Sequence, residues 1–168
     1  MTKRSISVVK ILAIVAILVL AMSMVFVGCD KLKDAGKPEA EVGVKTITIL
    51  IGTQEEYTTL EVNTSEEYMA SLLLTLQEEN KISNYTYTGS TTNNDVFIST
   101  INDIPGNVSN SYVAVYHTIN EVELAAPGGN GYDDPVTVGT KTLYYSNVGV
   151  GLLPIRDGAI YAFLLATY

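Results

Sequence analysis

The sequence predicts an α+β domain in which one amphipathic helix packs on a mostly antiparallel sheet, preceded by an N-terminal signal helix. Three observations support this prediction. Short alternating runs rich in Val, Ile, Thr and Tyr recur along the chain, as is typical of half-buried strands. One stretch has apolar residues at helical spacing. The order is a hairpin, then the helix, then several strands, which favours an α+β architecture.

The first thirty residues have the pattern of a bacterial lipoprotein signal peptide. Three basic residues within the first ten precede an almost unbroken apolar run over residues 11–27. Gly28 and Cys29, the only cysteine of the chain, end this run. A basic head, an apolar segment and a small residue at the cleavage point are the marks of a secretory signal. The stretch resembles a lipobox, so we expect a signal peptide at 1–28 and lipidation of Cys29.

An uncleaved transmembrane anchor is the alternative interpretation of this segment. The apolar run approaches the ~20 residues that a bilayer core requires, and Phe26 stands where leucine is commonest in a lipobox. Both interpretations place the rest of the chain outside the cytoplasm. We therefore expect a domain held on the extracytoplasmic face of the bacterial cell membrane, with the membrane as a partner through its lipid anchor.

The chain beyond the signal is strongly acidic. The signal contains 3 of the 10 basic residues and none of the 18 acidic ones, so the remainder carries 7 basic and 18 acidic groups, a net charge of −11. This charge disfavours a nucleic-acid partner, since Lys and Arg supply most of that affinity. With Cys29 lipidated, no cysteine remains for a disulfide or a thiolate metal site.

Composition divides the remaining chain into a tether and a domain. Residues 29–44 are polar and charged with Gly and Pro, which predicts a flexible tether. The domain is expected over 45–168, with an intervening loop at 126–135. Strands are predicted from their alternating and β-branched runs at residues 46–51, 57–62, 83–88, 96–101, 112–119, 141–145 and 159–168.

The helix of the domain is predicted from its capping residues and its apolar stripe. Thr64 with Glu67 three residues later has the pattern of a capping box at the helix start. The buried stripe is predicted at Met69, Leu72, Leu73 and Leu76. Asn80 is the expected end of the helix.

Several segments together resemble a known family. They are residues 62–67 at the helix start, 95–104, 111–116 in the central strand, and 147–161 with the turn Arg156-Asp157-Gly158 before the last strand. This pattern is similar to a bacterial extracellular domain of unknown function, itself similar to the C-terminal domain of transcobalamin, the vitamin B12 carrier. The resemblance covers about residues 45–168 and implies a β-grasp-like arrangement with a corrinoid as possible ligand.

Possible ligand-binding residues lie on the predicted strands. Tyr112, Tyr116 and His117 share the central strand, and Tyr144 lies on a later one. Tyrosine offers contact area and a hydrogen bond, and His117, the only histidine, could ligate corrinoid cobalt. The alternative is structural. The tyrosines would pack across neighbouring strands, and His117, which shares one strand face with Val113, Val115 and Ile119, would be a hydrogen-bonded core residue.

No catalytic motif emerges from the chain. The carboxylate pairs Glu66/Glu67 and Glu78/Glu79 are neighbours on a helix and do not face one another. The glycines of the 126–135 loop lack the Lys and Ser/Thr of a phosphate loop, and the sequence indicates no metal site or resident cofactor. We therefore expect a non-enzymatic, lipid-anchored binding module, with a structural or adhesive cell-envelope protein as the alternative.

Overall fold

The computed structural model describes residues 37–89, 96–105, 110–121, 124–125 and 134–167. The predicted signal peptide, the first half of the predicted tether (residues 29–36, with Cys29) and most of the 126–135 loop lie outside these residues. None of the helical segments within the described part has the length and apolar character that a membrane span requires. The compact unit begins at Pro38, seven residues before the boundary expected from the sequence.

The described residues form a mostly β structure with one short helix, α1 (Met69–Glu78). The strands of this part of the chain are β1 (Lys45–Gly52), β2 (Tyr57–Thr64), β3 (Thr86–Thr88), β4 (Phe97–Ile101), β5 (Ile104–Pro105), β6 (Ser111–His117), β7 (Val136–Val138), β8 (Lys141–Tyr145) and β9 (Ile160–Thr167).

The main sheet has six strands in the order β2-β1-β9-β6-β8-β7, and β3-β4-β5 form a second, small sheet. Every pairing is antiparallel except that of β1 with β9. The main sheet is curled. A Cβ atom at Gly139 in the β7–β8 turn would lie 3.6 Å from the Tyr57 hydroxyl at the start of β2, although β7 and β2 are opposite edges.

The predicted hairpin at the start of the domain is confirmed. β1 and β2 pair in continuous register from Lys45 opposite Thr64 to Gly52 opposite Tyr57. The β-branched side chains of Ile47 and Ile49 alternate with partly exposed threonines, so that one face is buried. This is the alternation that a strand with one face on a core requires.

Two apolar clusters lie on the main sheet. The larger joins β1, α1, β9 and the small sheet, with Leu72, Leu73, Ile101, Tyr161 and Phe163 among its buried members. The smaller lies inside the curl of the sheet and contains residues such as Leu50, Ala114 and Leu164. The helix stripe predicted from the sequence is confirmed as core, since its four residues are all buried.

The predicted start of the helix is wrong. Thr64 is the last residue of β2 and pairs with Lys45, so strand pairing takes the residue that the capping pattern assigned to the helix. The Thr64 hydroxyl accepts a hydrogen bond from the Glu66 amide (3.0 Å), and the chain then crosses to Pro154, whose backbone pairs with Tyr68. The helix begins only at Met69, without a side-chain cap.

The predicted end of the helix is confirmed. Asn80 has a positive φ of 57°, and its amide donates to the Gln77 carbonyl (3.0 Å) while the Lys81 amide donates to the Leu76 carbonyl (2.8 Å). These two bonds form a Schellman motif, which satisfies carbonyl groups that the last helical turn leaves free.

The turn before the last strand is also confirmed. Gly158 has a φ of 71°, a conformation that glycine adopts without steric cost. The turn is held from within by Tyr161, whose buried hydroxyl donates to the Pro154 carbonyl (2.9 Å) and accepts from the Arg156 amide (2.8 Å). The side chain of Tyr161 therefore ties the start of β9 to the segment that precedes it.

Candidate functional site

A cavity of about 540 Å³, which we call the front cavity, lies between the small sheet and the main sheet. Its walls are β4, with Phe97 and Ile98, the first half of β6, with Tyr112 and Val113, and the end of β8 with the segment 146–150 that follows it. This volume lies within the 300–1,000 Å³ typical of small-molecule sites. Because the three walls are distant in sequence, only the folded sheet creates the cavity.

The chemistry of the front cavity differs from that of the chain as a whole. None of the described side chains that line it carries a charge, in a chain with an excess of 8 acidic groups. Its polar groups include the side chains of Thr88, Ser146 and Asn147, and valines supply much of the apolar wall. Such a cavity offers apolar contact and neutral hydrogen-bonding groups, the combination that most ligand sites present.

Phe97 is an exposed aromatic side chain at the edge of the front cavity. Its side chain is 67% exposed, far more than the half-buried Ile98 beside it. Burying a phenylalanine of this exposure against a ligand would release a large apolar area from water. Phe97 is therefore the side chain of the described cavity walls with most to gain from a bound molecule.

A second cavity of about 530 Å³, the rim cavity, lies at the open end of the curled sheet. The β1–β2 turn, the last residues of β9 and the buried Tyr116 line it, together with Asp134 and Val136. Unlike the front cavity it has carboxylates at its edge, from Glu55 and Asp134, and both residues are exposed.

The structure divides the ligand-binding residues predicted from the sequence. Tyr112 lines the front cavity and is half-buried, whereas Tyr116 lines the rim cavity and is only 7% exposed. The Tyr116 ring packs edge-on against Tyr145, with centroids 5.5 Å apart. Tyr116 therefore fits the structural alternative, in which the tyrosines pack across neighbouring strands.

His117 lies in the interior and lines neither cavity. Its side chain is 0% exposed, and Nε2 is 3.1 Å from the Leu124 carbonyl, to which it donates. Among the described residues Nδ1 has no hydrogen-bond partner. Burial lowers the pKa of His117 below its usual value, while the backbone of Leu124 and Ile119 and the charge of Glu121 act in the opposite direction.

This placement removes the support for cobalt ligation by His117. A ligand could reach its imidazole only if the surrounding core opened, because the ring is fully covered. Tyr144 pairs with His117 across β6 and β8 and is half-buried. It lines neither cavity, so the four predicted residues do not form one site.

Sequence reasoning missed two parts of the front cavity. Phe97 was predicted only as part of a strand, and residues 146–150 were not predicted as part of any site. Phe97 offered one signal, since it is one of three phenylalanines in the chain and occurs in an alternating strand. The segment 146–150 offered none, because its position depends on the Ser146 amide bonding to Val115 (2.8 Å) and the Ala70 amide bonding to Val150 (3.0 Å).

No metal centre is formed by the residues that the structure describes. Nowhere in that part of the chain do three His, Cys, Asp or Glu side chains come together as a metal site would require.

Comparison with known proteins gives a likeness of fold to a solved structure. No family model matches the chain, and no curated protein does. Among solved structures, haptocorrin in complex with Cbi (cobinamide) matches with a TM-score of 0.51 and 14% sequence identity. The match covers 80% of this chain and 28% of the haptocorrin chain. The likeness is one of fold.

The chain is therefore similar in fold to the C-terminal domain of haptocorrin, a transcobalamin-like protein. This confirms the fold similarity expected from the sequence. A protein from Ruminococcus gnavus, described as a candidate metal-binding protein, also matches, with a TM-score of 0.46 and 15% identity. That match covers 74% of this chain and 98% of the other, and at this TM-score it carries no argument.

Proposed function

We propose that this protein is a lipid-anchored extracytoplasmic module that binds a small molecule in the front cavity and is not an enzyme. The observation that carries this proposal is the cavity of about 540 Å³, whose described lining combines apolar side chains with neutral polar ones, with the exposed ring of Phe97 at its edge. A ligand in the cavity could cover this ring, and an aromatic side chain offers a large contact area to a bound molecule.

A corrinoid is the first ligand class to test. The fold likeness to haptocorrin, which was solved with cobinamide, supports this choice. The parallel pairing of β1 and β9, which are neighbours in the main sheet, supports the β-grasp-like arrangement that the resemblance implies. We propose that the corrinoid would contact the cavity through its ring edge and amide groups, with no imidazole ligand from His117.

The lining of the cavity defines the recognition chemistry. Phe97 and Tyr112 would contact a planar or apolar surface of the ligand. The side chains of Asn147 and Ser146 would pair with its neutral polar groups. Haptocorrin extends well beyond the 28% that this chain matches.

The test is a titration of the full-length protein in detergent micelles with cobinamide and cobalamin, followed by absorbance and calorimetry. Saturable binding that Phe97→Ala weakens at least about tenfold is the expected result, because burial of an aromatic side chain contributes roughly 1.5–3 kcal/mol. Val44→Ala, which changes another exposed apolar side chain, is the matched control and should bind as the wild type does.

Two outcomes would contradict the proposal. Binding that Phe97→Ala leaves unchanged would move the site away from the front cavity. No heat and no spectral change at ~100 μM would mean an affinity weaker than about −5.5 kcal/mol, and the corrinoid would be rejected as the ligand.

A structural or adhesive role in the cell envelope is the second candidate. The observation that favours it is strand β2, an eight-residue edge of the main sheet that pairs only with β1 among the described strands. An unpaired strand edge can accept a strand from another chain. Absence of small-molecule binding together with concentration-dependent self-association of the full-length protein would favour this role.

A further inference from the structure

Residues 38–44, which we call the strap, were expected to be flexible but are hydrogen-bonded to the domain. The Tyr68 hydroxyl donates to the Pro38 carbonyl (2.9 Å), and Arg156 Nη1 donates to the Glu39 carbonyl (2.6 Å). The carboxylate of Glu41 accepts from the Asp157 amide (2.8 Å). Successive strap residues are thus held by the start of α1 and by the turn before β9.

A buried lysine holds the end of the strap. Lys45, the first residue of β1, is only 2% exposed, and its Nζ donates to the carbonyls of Glu41 (2.7 Å) and Gly43 (3.2 Å). Hydrogen bonds from a charged donor are stronger than neutral ones. The ammonium group therefore fixes the strap where it enters the sheet.

The surface under the strap is itself fixed. Arg156 Nε and Nη2 donate to the two carboxylate oxygens of Glu121 (3.1 and 3.2 Å), which leaves Nη1 directed at the strap. The Asp157 carboxylate accepts from the Thr46 amide (2.8 Å) and joins the turn to β1. A bidentate arginine–carboxylate pair has a defined geometry, so the receiving surface for the strap is ordered in advance.

We propose that the strap is a permanent docking segment that sets the point at which the membrane tether leaves the domain. The inference rests on the proposed lipid anchor at Cys29. With the strap docked, residues 30–37 separate Cys29 from the docked segment, and eight residues of extended chain reach at most about 28 Å. With the strap released, residues 30–44 would reach about 50 Å.

Limited proteolysis of the full-length protein tests the docking itself. A glutamate-specific endopeptidase cuts after Glu39 only if the strap leaves the surface. Tyr68→Phe with Glu41→Ala removes two of the bonds to the strap and should accelerate this cut by about tenfold. The matched control, Tyr87→Phe with Glu61→Ala, changes the same residue types on exposed strands and should be cut as slowly as the wild type.

Equal cutting of the wild type and the strap variant would overturn the proposal. Because both substitutions act at the surface contacts of the strap, we expect the thermal midpoint of the domain to change little. If the midpoint of the double variant falls strongly, the single change Tyr68→Phe decides the question with the same cut.

The docking of the strap and the lipid anchor are tested separately. Failure of the full-length protein to associate with vesicles of neutral phospholipid contradicts the proposed anchor, while the proteolysis result still decides whether the strap is docked.

Discussion

At the scale of single residues, His117 illustrates how burial decides between chemistry and structure. The imidazole is fully buried, next to the Leu124 carbonyl and the ring of Tyr161, 6.4 Å away between centroids. Its Nε2 satisfies a backbone carbonyl, and burial disfavours its charged form. The residue therefore contributes to the core as a neutral side chain, and its protonation should oppose folding.

This gives a prediction for the dependence of stability on pH. The pKa of His117 in the folded state is lowered from its usual 6.5. Below pH 6.5 the unfolded state therefore binds more protons than the folded state, and the free energy of unfolding decreases as the pH is lowered. The slope due to this group can reach about 1.4 kcal/mol per pH unit. His117→Gln keeps a donor near the Leu124 carbonyl but cannot titrate. Urea unfolding between pH 7.5 and 5.5 should show a smaller loss in this variant, and parallel curves would contradict the prediction.

Two buried tyrosines give a paired prediction. The Tyr161 hydroxyl makes hydrogen bonds to the backbone at Pro154 and Arg156, whereas the buried Tyr85 hydroxyl has no partner among the described residues. Tyr161→Phe should lower the free energy of unfolding by about 1–3 kcal/mol, because it leaves two backbone groups unpaired. Tyr85→Phe should be neutral or stabilising. Equal losses in both variants would contradict this assignment, and urea unfolding measures both.

At the scale of elements, the end of α1 is set by Asn80. Its φ of 57° is a conformation that most residues adopt at a cost of roughly 1–2 kcal/mol, whereas glycine adopts it freely. We predict that Asn80→Ala lowers the free energy of unfolding by about 1 kcal/mol and that Asn80→Gly does not lower it. Thermal or urea unfolding of the three proteins is the measurement. A larger loss for Gly than for Ala would show that the Schellman motif does not limit stability.

Elements defined by local patterns were predictable from the sequence. The alternation in β1 and β2, the apolar stripe of α1, and the Asp157-Gly158 turn depend on residues within a few positions of each other. The start of α1 was not predictable in this way. Thr64 and Glu67 have a locally valid capping pattern, but Thr64 pairs with Lys45 and the Glu67 carbonyl accepts from the Ile155 amide (2.9 Å). Contacts across the chain therefore overrode the local signal.

At the scale of the whole molecule, the front cavity arises from segments far apart in sequence. Phe97, Tyr112 and Val148 meet only because the small sheet packs beside β6 and the segment after β8 returns toward α1. A pattern within one strand could identify Tyr112 as exposed or buried but could not identify its neighbours. This is why the sequence proposed a site along the central strand, whereas the structure places Tyr112, Tyr116 and His117 in three different environments.

The strap is a feature of the same scale. Composition predicted a flexible tether up to Val44, since Gly, Lys and Pro are typical of linkers. The bonds to Tyr68, Arg156 and Asp157 come from residues 30 to more than 100 positions later. Local composition carries no information about such partners, so the boundary at Pro38 could be found only from the fold.

The most direct test of the account is to locate the ligand on the protein. Methyl NMR spectra of the full-length protein in micelles, recorded with increasing cobinamide, would report on the valine, leucine and isoleucine methyl groups of both cavities. We predict that shifts concentrate at Ile98, Val113 and Val148, which line the front cavity, and are lost in Phe97→Ala. Shifts confined to Val136 and Leu164 in the rim cavity, or no saturable shifts at all, would contradict the claim that the front cavity is the binding site.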